Sequence, residues 1–307
     1  MRYIDLHVHT NYSDGACSVD QILVAAQATG VFLLSISDHN TVDAYDMIPQ
    51  YKHLFTGRIL PAVELSTVFE GEFIELLGYG IDLSNMQKQI RKRYPSFYDK
   101  QVKEAELDTL GLLDKGVVLS DAFVQAMLHC PEQVFDPHWD TNRPYLLQEI
   151  KRHQENAVFF ANQTEFETLD EQRFTREYLF HSESTLYIDQ SMFVPDMVEV
   201  IDMIHQCNGL AFLAHPFIYS SSFIKNKLKK AALTGIDGIE SHYGTFSAEQ
   251  KQFLSDFCKQ AGLYQSGGSD FHGLKLRPNN ILGFSGNKQI PYSIVQPWLD
   301  QIQDRLL

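Results

Sequence analysis

Apolar and polar residues alternate at the start of the chain. Ile4, Leu6 and Val8 fall on one face of an extended segment, and Asp5, His7 and His9 on the other. A strand is expected over residues 3–8, with both imidazoles reaching the same point. The period then changes. Ser18-Val19-Asp20-Gln21 is a capping-box pattern ahead of an apolar helical stretch over 22–28, and Gly30 is a helix stop. Residues 32–36 form an apolar run expected as a buried strand, and Thr41 is placed to cap a short helix through residue 48. Two more strands are expected over 59–65 and 73–79. Such β-α-β-α order predicts parallel strands with helices outside.

The last third repeats the scheme. Pro195 can open a helix that ends near Gly209. Strands are expected over 210–214, 236–239 and 263–266. Ser247-Ala248-Glu249-Gln250 is a second capping box, opening a helix that stops at Gly262. Residues 291–307 read as a terminal helix. Residues 86–190 differ: they are polar and aromatic, with helical stretches over 101–113, 120–128 and 145–152. The expected organisation is one body from 1–85 and 191–307, with 86–190 inserted as a mostly helical subdomain.

Composition narrows the function classes. A hydrophobic content of 44% suits a sizeable core. No run of about 18 apolar residues is present, so no membrane span is expected, and the N-terminus has no signal-peptide h-region. Four scattered cysteines, Cys17, Cys130, Cys207 and Cys258, fit free thiols in a reduced, cytoplasmic setting. A net charge of −14 argues against a stable duplex nucleic-acid interface. The one basic run, Lys225, Lys227, Lys229 and Lys230, reads as a solvated helix face. Acidity does not exclude a phosphorylated substrate, because bound metal ions dominate the local potential. Oligomeric state is not legible.

The chemistry sits at the ends of the expected strands. The first leads to His7 and His9, with Asp14-Gly15 just beyond. The second ends in Ser37-Asp38-His39-Asn40-Thr41, the third in Glu64, and the fourth contains Glu75. The strand after the insertion ends in Ala214-His215-Pro216, and the last leads to Asp270-Phe271-His272. One buried histidine is usually a satisfied core residue. Five histidines and three or four carboxylates at strand C-termini are what a multinuclear metal centre needs, because α/β barrels collect their chemistry at that end.

These motifs, with Gly267-Gly268-Ser269-Asp270-Phe271-His272-Gly273 and Gly235-Ile236-Asp237-Gly238-Ile239-Glu240, resemble the polymerase and histidinol phosphatase (PHP) family. Within it the chain resembles the branch of 3′,5′-nucleotide bisphosphatases and 5′-to-3′ oligoribonuclease-like phosphoesterases. The likeness is close in both halves flanking the insertion. Within the insertion it is thinner, resting on Asn142-Arg143-Pro144 and on Phe174 with Tyr178-Leu179. The resemblance implies an α/β fold, a distorted (β/α)7 TIM-like barrel carrying an inserted, mostly helical subdomain. It implies two or three divalent ions. His7, His9, Glu64 and Asp270 would hold the first; Glu64 would bridge to a second, held also by residue 75 and His215; Asp14, His39 and His272 would hold the third. The implied reaction is hydrolysis of a phosphate monoester, by hydroxide generated on the metal, with Asp14, Glu64, His242 and Asp270 in catalytic roles. Arg143, Tyr145 and His242 are the expected substrate contacts. Phe217, Tyr219, Tyr243 and Phe246 are candidates to stack a base or to pack the rim.

The chain departs from the family pattern at three places. Where the family has His before Leu-Leu-Gly-Tyr, this chain has Glu75. If Glu75 ligates, it makes the site more oxygen-rich, favouring Mn²⁺ or Fe²⁺ over Zn²⁺; if it does not, the centre holds two ions. Tyr145 stands where Arg-Pro-His is usual, and Phe246 where a histidine follows the Ile-Glu segment, with His242 as a substitute or a bystander. The expected substrate is a nucleotide or a short 5′-phosphorylated oligonucleotide. The alternatives are another small monoester such as histidinol phosphate, or a non-catalytic metal- or nucleotide-binding module.

Overall fold

The computed structural model describes residues 2–137, 140–181, 183–189 and 191–307. Two compact units divide the chain: Met1–Glu70, Ile74–Lys92 and Pro195–Leu307 in one, Gly71–Phe73 and Arg93–Val194 in the other. The main divisions fall at 92/93 and 194/195, where the sequence suggests 85/86 and 190/191. The helix Leu83–Arg93 stays with the first unit through Lys92, and its Met86 and Ile90 are buried. No helix among the described residues is long and apolar enough to cross a membrane.

The first unit is mixed α/β. Its strands are β1 (Tyr3–Asp5), β2 (Val31–Leu34), β3 (Arg58–Ile59), β4 (Ala62–Phe69), β5 (Glu72–Tyr79), β6 (Leu210–Leu213), β7 (Gly238–Tyr243), β8 (Tyr264–Gly268), β9 (Phe284–Ser285) and β10 (Lys288–Pro291). Among the described residues they sort into two five-stranded sheets, ordered β3-β2-β1-β10-β9 and β4-β5-β6-β7-β8, and not into one continuous ring of ladders. β1, β2 and β3 run parallel, as do β6, β7 and β8. Two pairings correct the all-parallel expectation. β5 runs antiparallel to β6, and β10 antiparallel to β1. The first reversal follows from a two-residue turn. Glu70 and Gly71 both have positive φ, at 47° and 75°, the conformation of a tight hairpin turn.

Both capping boxes form. Ser18 N donates to Gln21 Oε1 at 3.0 Å ahead of the helix Val19–Ala28, and Ser247 N donates to Gln250 Oε1 at 2.9 Å ahead of Ala248–Ala261. The terminal helix does not. Pro291 closes β10, Lys288–Pro291, and the rest of the expected helix folds into short turns around Gln296–Leu299. Those turns bury Val295, Trp298, Leu299 and Ile302 against Ile4, Leu6, Leu33, Leu77 and Phe212. That one apolar cluster draws on both sheets. Burial of a large aromatic such as Trp298 favours this path, and the turns keep local hydrogen bonds, among them Leu299 N to Val295 O at 2.9 Å and Ile302 N to Leu299 O at 3.0 Å.

At the opposite ends of the strands the chain continues in extended stretches that hydrogen-bond to one another. Leu6 N donates to Gly267 O at 3.1 Å, Asp270 N to His7 O at 2.8 Å and His9 N to Phe271 O at 2.9 Å. Asn40 N donates to Glu64 O at 2.8 Å. Gly268 permits the first approach: a Cβ there would lie 2.2 Å from His7 Cβ. Asp5, fully buried, ties the same seam by accepting from Ser269 N at 2.9 Å, Ser269 Oγ at 2.6 Å and Gly283 N at 2.6 Å.

The second unit has its own apolar core, with Leu112, Leu146, Ile150, Phe166, Phe174 and Leu179 buried among its helices. Those helices include Phe97–Asp114, Asp121–His129 and Arg143–Arg152.

Candidate metal centre

Nine side chains from the strand ends converge in the first unit. Glu64 is at their centre and fully buried. Its Oε2 lies 3.1 Å from His7 Nε2, 3.2 Å from His9 Nε2 and 3.3 Å from His39 Nδ1, and its Oε1 lies 3.0 Å from His215 Nε2. Asp270 Oδ1 is 3.4 Å from His7 Nε2 and 3.2 Å from His9 Nε2. Asp14 stands at the mouth, half exposed, 3.1 Å from His272 Nε2 and 3.5 Å from His9 Nδ1. Glu75 Oε1 is 3.4 Å from His39 Nδ1, and Oε2 is 3.3 Å from His215 Nε2.

Ligand atoms of these residues fall into four groups whose members lie within 4.8 Å of one another: His9, Asp14, His39 and His272; His7, Glu64 and His215; His7, His9 and Asp270; His39, Glu64 and Glu75. The structure thus brings together every residue the sequence nominates as a ligand, Glu75 included. His9 joins Asp14, His39 and His272 as well as Asp270, a double membership the strand pattern alone does not reveal.

The donor set fits divalent cations. Four carboxylates, Asp14, Glu64, Glu75 and Asp270, bring a formal charge of −4 into a pocket of imidazoles, and only mixed N/O ligands are present. The electrostatics report the same excess. Burial by itself lowers an imidazole, yet Glu64, Glu240 and Asp270 hold His7 well above its ordinary value. Against the same burial penalty, Asp270 and Glu64 push His9 up to about 10, and Glu64 and Glu75 push His215 up to about 9. Burial works to raise the Glu64 carboxyl, and the surrounding histidines, His7 and His39 first, pull it well below the usual range. Cations or protons are what this pocket is built to hold.

A surrounding layer fixes the ligands. Glu240, which the strand pattern does not nominate, is fully buried; it accepts from His7 Nδ1 at 3.0 Å and from the His215 backbone N at 2.9 Å. With Nδ1 so engaged, His7 presents Nε2 inward. Asp270 Oδ2 accepts from Tyr243 OH at 2.7 Å and pairs with Arg277, also absent from the sequence reading. Asp38 accepts from Thr10 N, Thr10 Oγ1 and Ser13 Oγ at 2.7, 2.6 and 2.6 Å, which anchors the loop that carries Asp14. His215 and Asp270 both have left-handed backbones, with φ of 23° and 54°. Non-glycine residues seldom adopt this conformation, and such strain concentrates at functional sites.

Three further nominated residues are His242 in the first unit and Arg143 and Tyr145 in the second. A regular strand would put His242 on the same face as Glu240. β7 is bulged between them, so that Glu240 pairs with Ser266 and His242 with Gly267. The bulge hands the inward position to Tyr243, and His242 lines a separate pocket that no residue of the cluster lines. Arg143 and Tyr145 belong to the second unit. Arg143 is buried there, 3.0 Å from Glu104 Oε1 and 4.8 Å over the Phe180 ring, and Tyr145 OH donates to Asp140 Oδ2 at 3.3 Å. Two of the aromatic candidates are scaffold: Tyr243 holds Asp270, and Tyr219 OH accepts from Glu75 N at 2.9 Å.

Residues 5–154 match the PHP domain. Over that range, just under half of the chain, the sequence is similar to the PHP domain. The matched range ends before His215, Asp270 and His272, and the fold returns these three to the rest of the PHP cluster. The chain is 26% identical over 305 residues to a 5′-3′ exoribonuclease of Haemophilus influenzae, covering 96% of this chain and 97% of that one. It is 24% identical over 279 residues to a 3′,5′-nucleoside bisphosphate phosphatase of Chromobacterium violaceum, covering 89% of this chain and 88% of that one. The structure superposes on an amidohydrolase from Chromobacterium violaceum with a TM-score of 0.67 at 21% identity, covering 99% of this chain and 97% of that one. The PHP match and the phosphatase among these relatives support a hydrolase.

Proposed function

We propose that this PHP protein hydrolyses a phosphate monoester of a nucleotide, either a 3′,5′-bisphosphate or a short 5′-phosphorylated oligonucleotide. The observation that supports it most is the convergence of nine ligating side chains from separate strand ends on Glu64. In this reading His7, His9, Glu64 and Asp270 hold one ion, Glu64, Glu75 and His215 a second, and Asp14, His39 and His272 a third. Glu75 in place of an imidazole favours Mn²⁺ or Fe²⁺ over Zn²⁺. Divalent ions held there would polarise the phosphoryl group and lower the pKa of water. The two sheets, joined through the strand-end hydrogen bonds, are read as halves of a distorted (β/α)7 barrel, with residues 93–194 as its insertion.

The chain's own residues then do four things. Glu240 fixes the tautomer of His7. Tyr243 and Arg277 fix Asp270 and leave its Oδ1 for the pocket. Asp38 holds the loop bearing Asp14. The half-exposed Asp14 marks the open side, from which the phosphoryl group enters. Water attacks phosphorus, the ester P–O bond breaks, and the alcohol oxygen leaves with a proton.

Mn²⁺-loaded protein should turn over a panel of 3′,5′-bisphosphates and short 5′-phosphorylated RNAs faster than histidinol phosphate or sugar phosphates. Asp270→Asn keeps the Tyr243 hydrogen bond and should cut turnover by about 100-fold or more. Metal binding with no turnover of any monoester would favour the binding module, and preferential turnover of a sugar phosphate would redirect the substrate. Full activity in Asp270→Asn would remove Asp270 from the centre.

A further inference from the structure

A cavity of about 830 Å³ opens between the N-terminal turn of the helix Ala248–Ala261 and the β9–β10 hairpin. Its volume is in the range of small-molecule sites. Its lining is unlike the rest of the chain. The protein has 39 acidic residues and 25 basic ones, yet among the described residues no Asp or Glu lines this cavity, while Lys251 and Lys288 both do. Glu249, in the same helical turn, is turned to the Ser247 hydroxyl at 2.7 Å. Lys251 Nζ is held over the hairpin by Ser285 O and Oγ at 3.2 and 3.3 Å. Burial, and then the charge of Lys288, lower its affinity for its own proton. Two converging cations with no carboxylate between them are stabilised by an anion.

The remaining walls add aromatic side chains, of which Tyr3 and Phe284 are partly exposed, and a hydrogen-bond acceptor. Phe246 is buried, its ring packed edge-on against Phe217 at 5.5 Å, and Tyr3 and Phe284 complete the aromatic lining. His242 is also there. Ser241 Oγ gives its proton to Gln265 Oε1 at 2.9 Å, so it accepts from His242 Nδ1 at 2.9 Å. Burial and the Lys251 charge hold this imidazole down to about 4, so it is neutral at pH 7. Its Nε2 therefore carries a lone pair.

We propose that this cavity is a nucleoside monophosphate site, distinct from the metal centre: Lys251 and Lys288 take the phosphate, the aromatic wall takes the base, and His242 Nε2 accepts from an amino or hydroxyl group. The site does not rest on the phosphoesterase reading, since none of its residues is a nominated metal ligand.

The test is calorimetric titration of Mn²⁺-loaded protein with adenosine 5′-monophosphate, adenosine and inorganic phosphate, for the wild type, the Lys251→Gln/Lys288→Gln double variant and Lys251→Arg. The expected result is a binding event for the monophosphate that weakens at least about tenfold in the double variant, persists in Lys251→Arg, and is tighter than that for either fragment. Turnover of p-nitrophenyl phosphate should be unchanged in the double variant, which separates this site from the metal centre. A monophosphate isotherm identical in wild type and double variant would overturn the proposal. So would adenosine, or inorganic phosphate in a binding event that the double variant loses, binding as tightly as the monophosphate, or a Lys251→Arg variant as impaired as the double one.

Discussion

Glu240→Gln isolates the contribution of a residue that touches no ion in any reading of the site. The carboxylate accepts two hydrogen bonds at once, from His7 Nδ1 at 3.0 Å and from the His215 backbone N at 2.9 Å. Glutamine has the same shape but one acceptor oxygen. One of the two donors would then face an NH₂ group. A hydrogen bond to a charged acceptor is worth about 1.5–3 kcal/mol. Losing one should therefore weaken metal binding by about 10- to 100-fold, since each factor of ten is about 1.4 kcal/mol. That agrees with the range for partners one layer outside a metal. Either outcome for the side chain hurts: if Gln turns its oxygen to His7, the His215 backbone is left facing a donor, and if it turns to His215, His7 loses its tautomer lock. The assay is competition of Mn²⁺ against a chromophoric chelator, run alongside p-nitrophenyl phosphate turnover. Unchanged affinity and unchanged turnover in a folded variant would show that Glu240 is ordinary core polarity and that the orienting argument is wrong.

Two other outcomes are expected. Glu75→His removes one of four cluster carboxylates and replaces a hard oxygen ligand by a softer nitrogen, so the Zn²⁺-to-Mn²⁺ affinity ratio should rise and KM for a phosphate dianion should fall; unchanged metal preference, by metal analysis after mixed loading, would place Glu75 outside the ligand set. Chelator-stripped protein should lose thermal stability between about pH 7 and pH 10. His9 and His215 have folded values raised to about 10 and about 9, above an unfolded value near 6.5, so the stability they contribute is complete below that and is lost as pH rises through the folded values. Metal-loaded protein should lack this slope because the cations replace the protons; a flat melting profile for stripped protein over that range would contradict the charge arrangement described.

Sequence by itself nominated the nine side chains that cluster, and it determined much of the local structure. His7 and His9 share a face because a strand has a period of two, and Asp270 and His272 read the same way. Ser18 and Ser247 start helices because their caps are written within four residues. Those features are local, so no tertiary information was needed to see them. What tertiary structure decided is pairing and direction. The bulge in β7 gave Tyr243 the inward position expected of His242, and no stretch of sequence announces a bulge whose cause is the register against β8. Residues 288–291 became a strand paired with β1, taking Pro291 from the helix expected over 291–307, and the remainder of that helix broke to seat Trp298. The strand pattern nominates neither Glu240 nor Arg277 for the cluster; the fold sets them against His7 and Asp270. Side-chain identity is a local property of the chain. The second layer of a metal site depends on which strands become neighbours, and that is settled only by the balance of burial and hydrogen bonding over the whole fold.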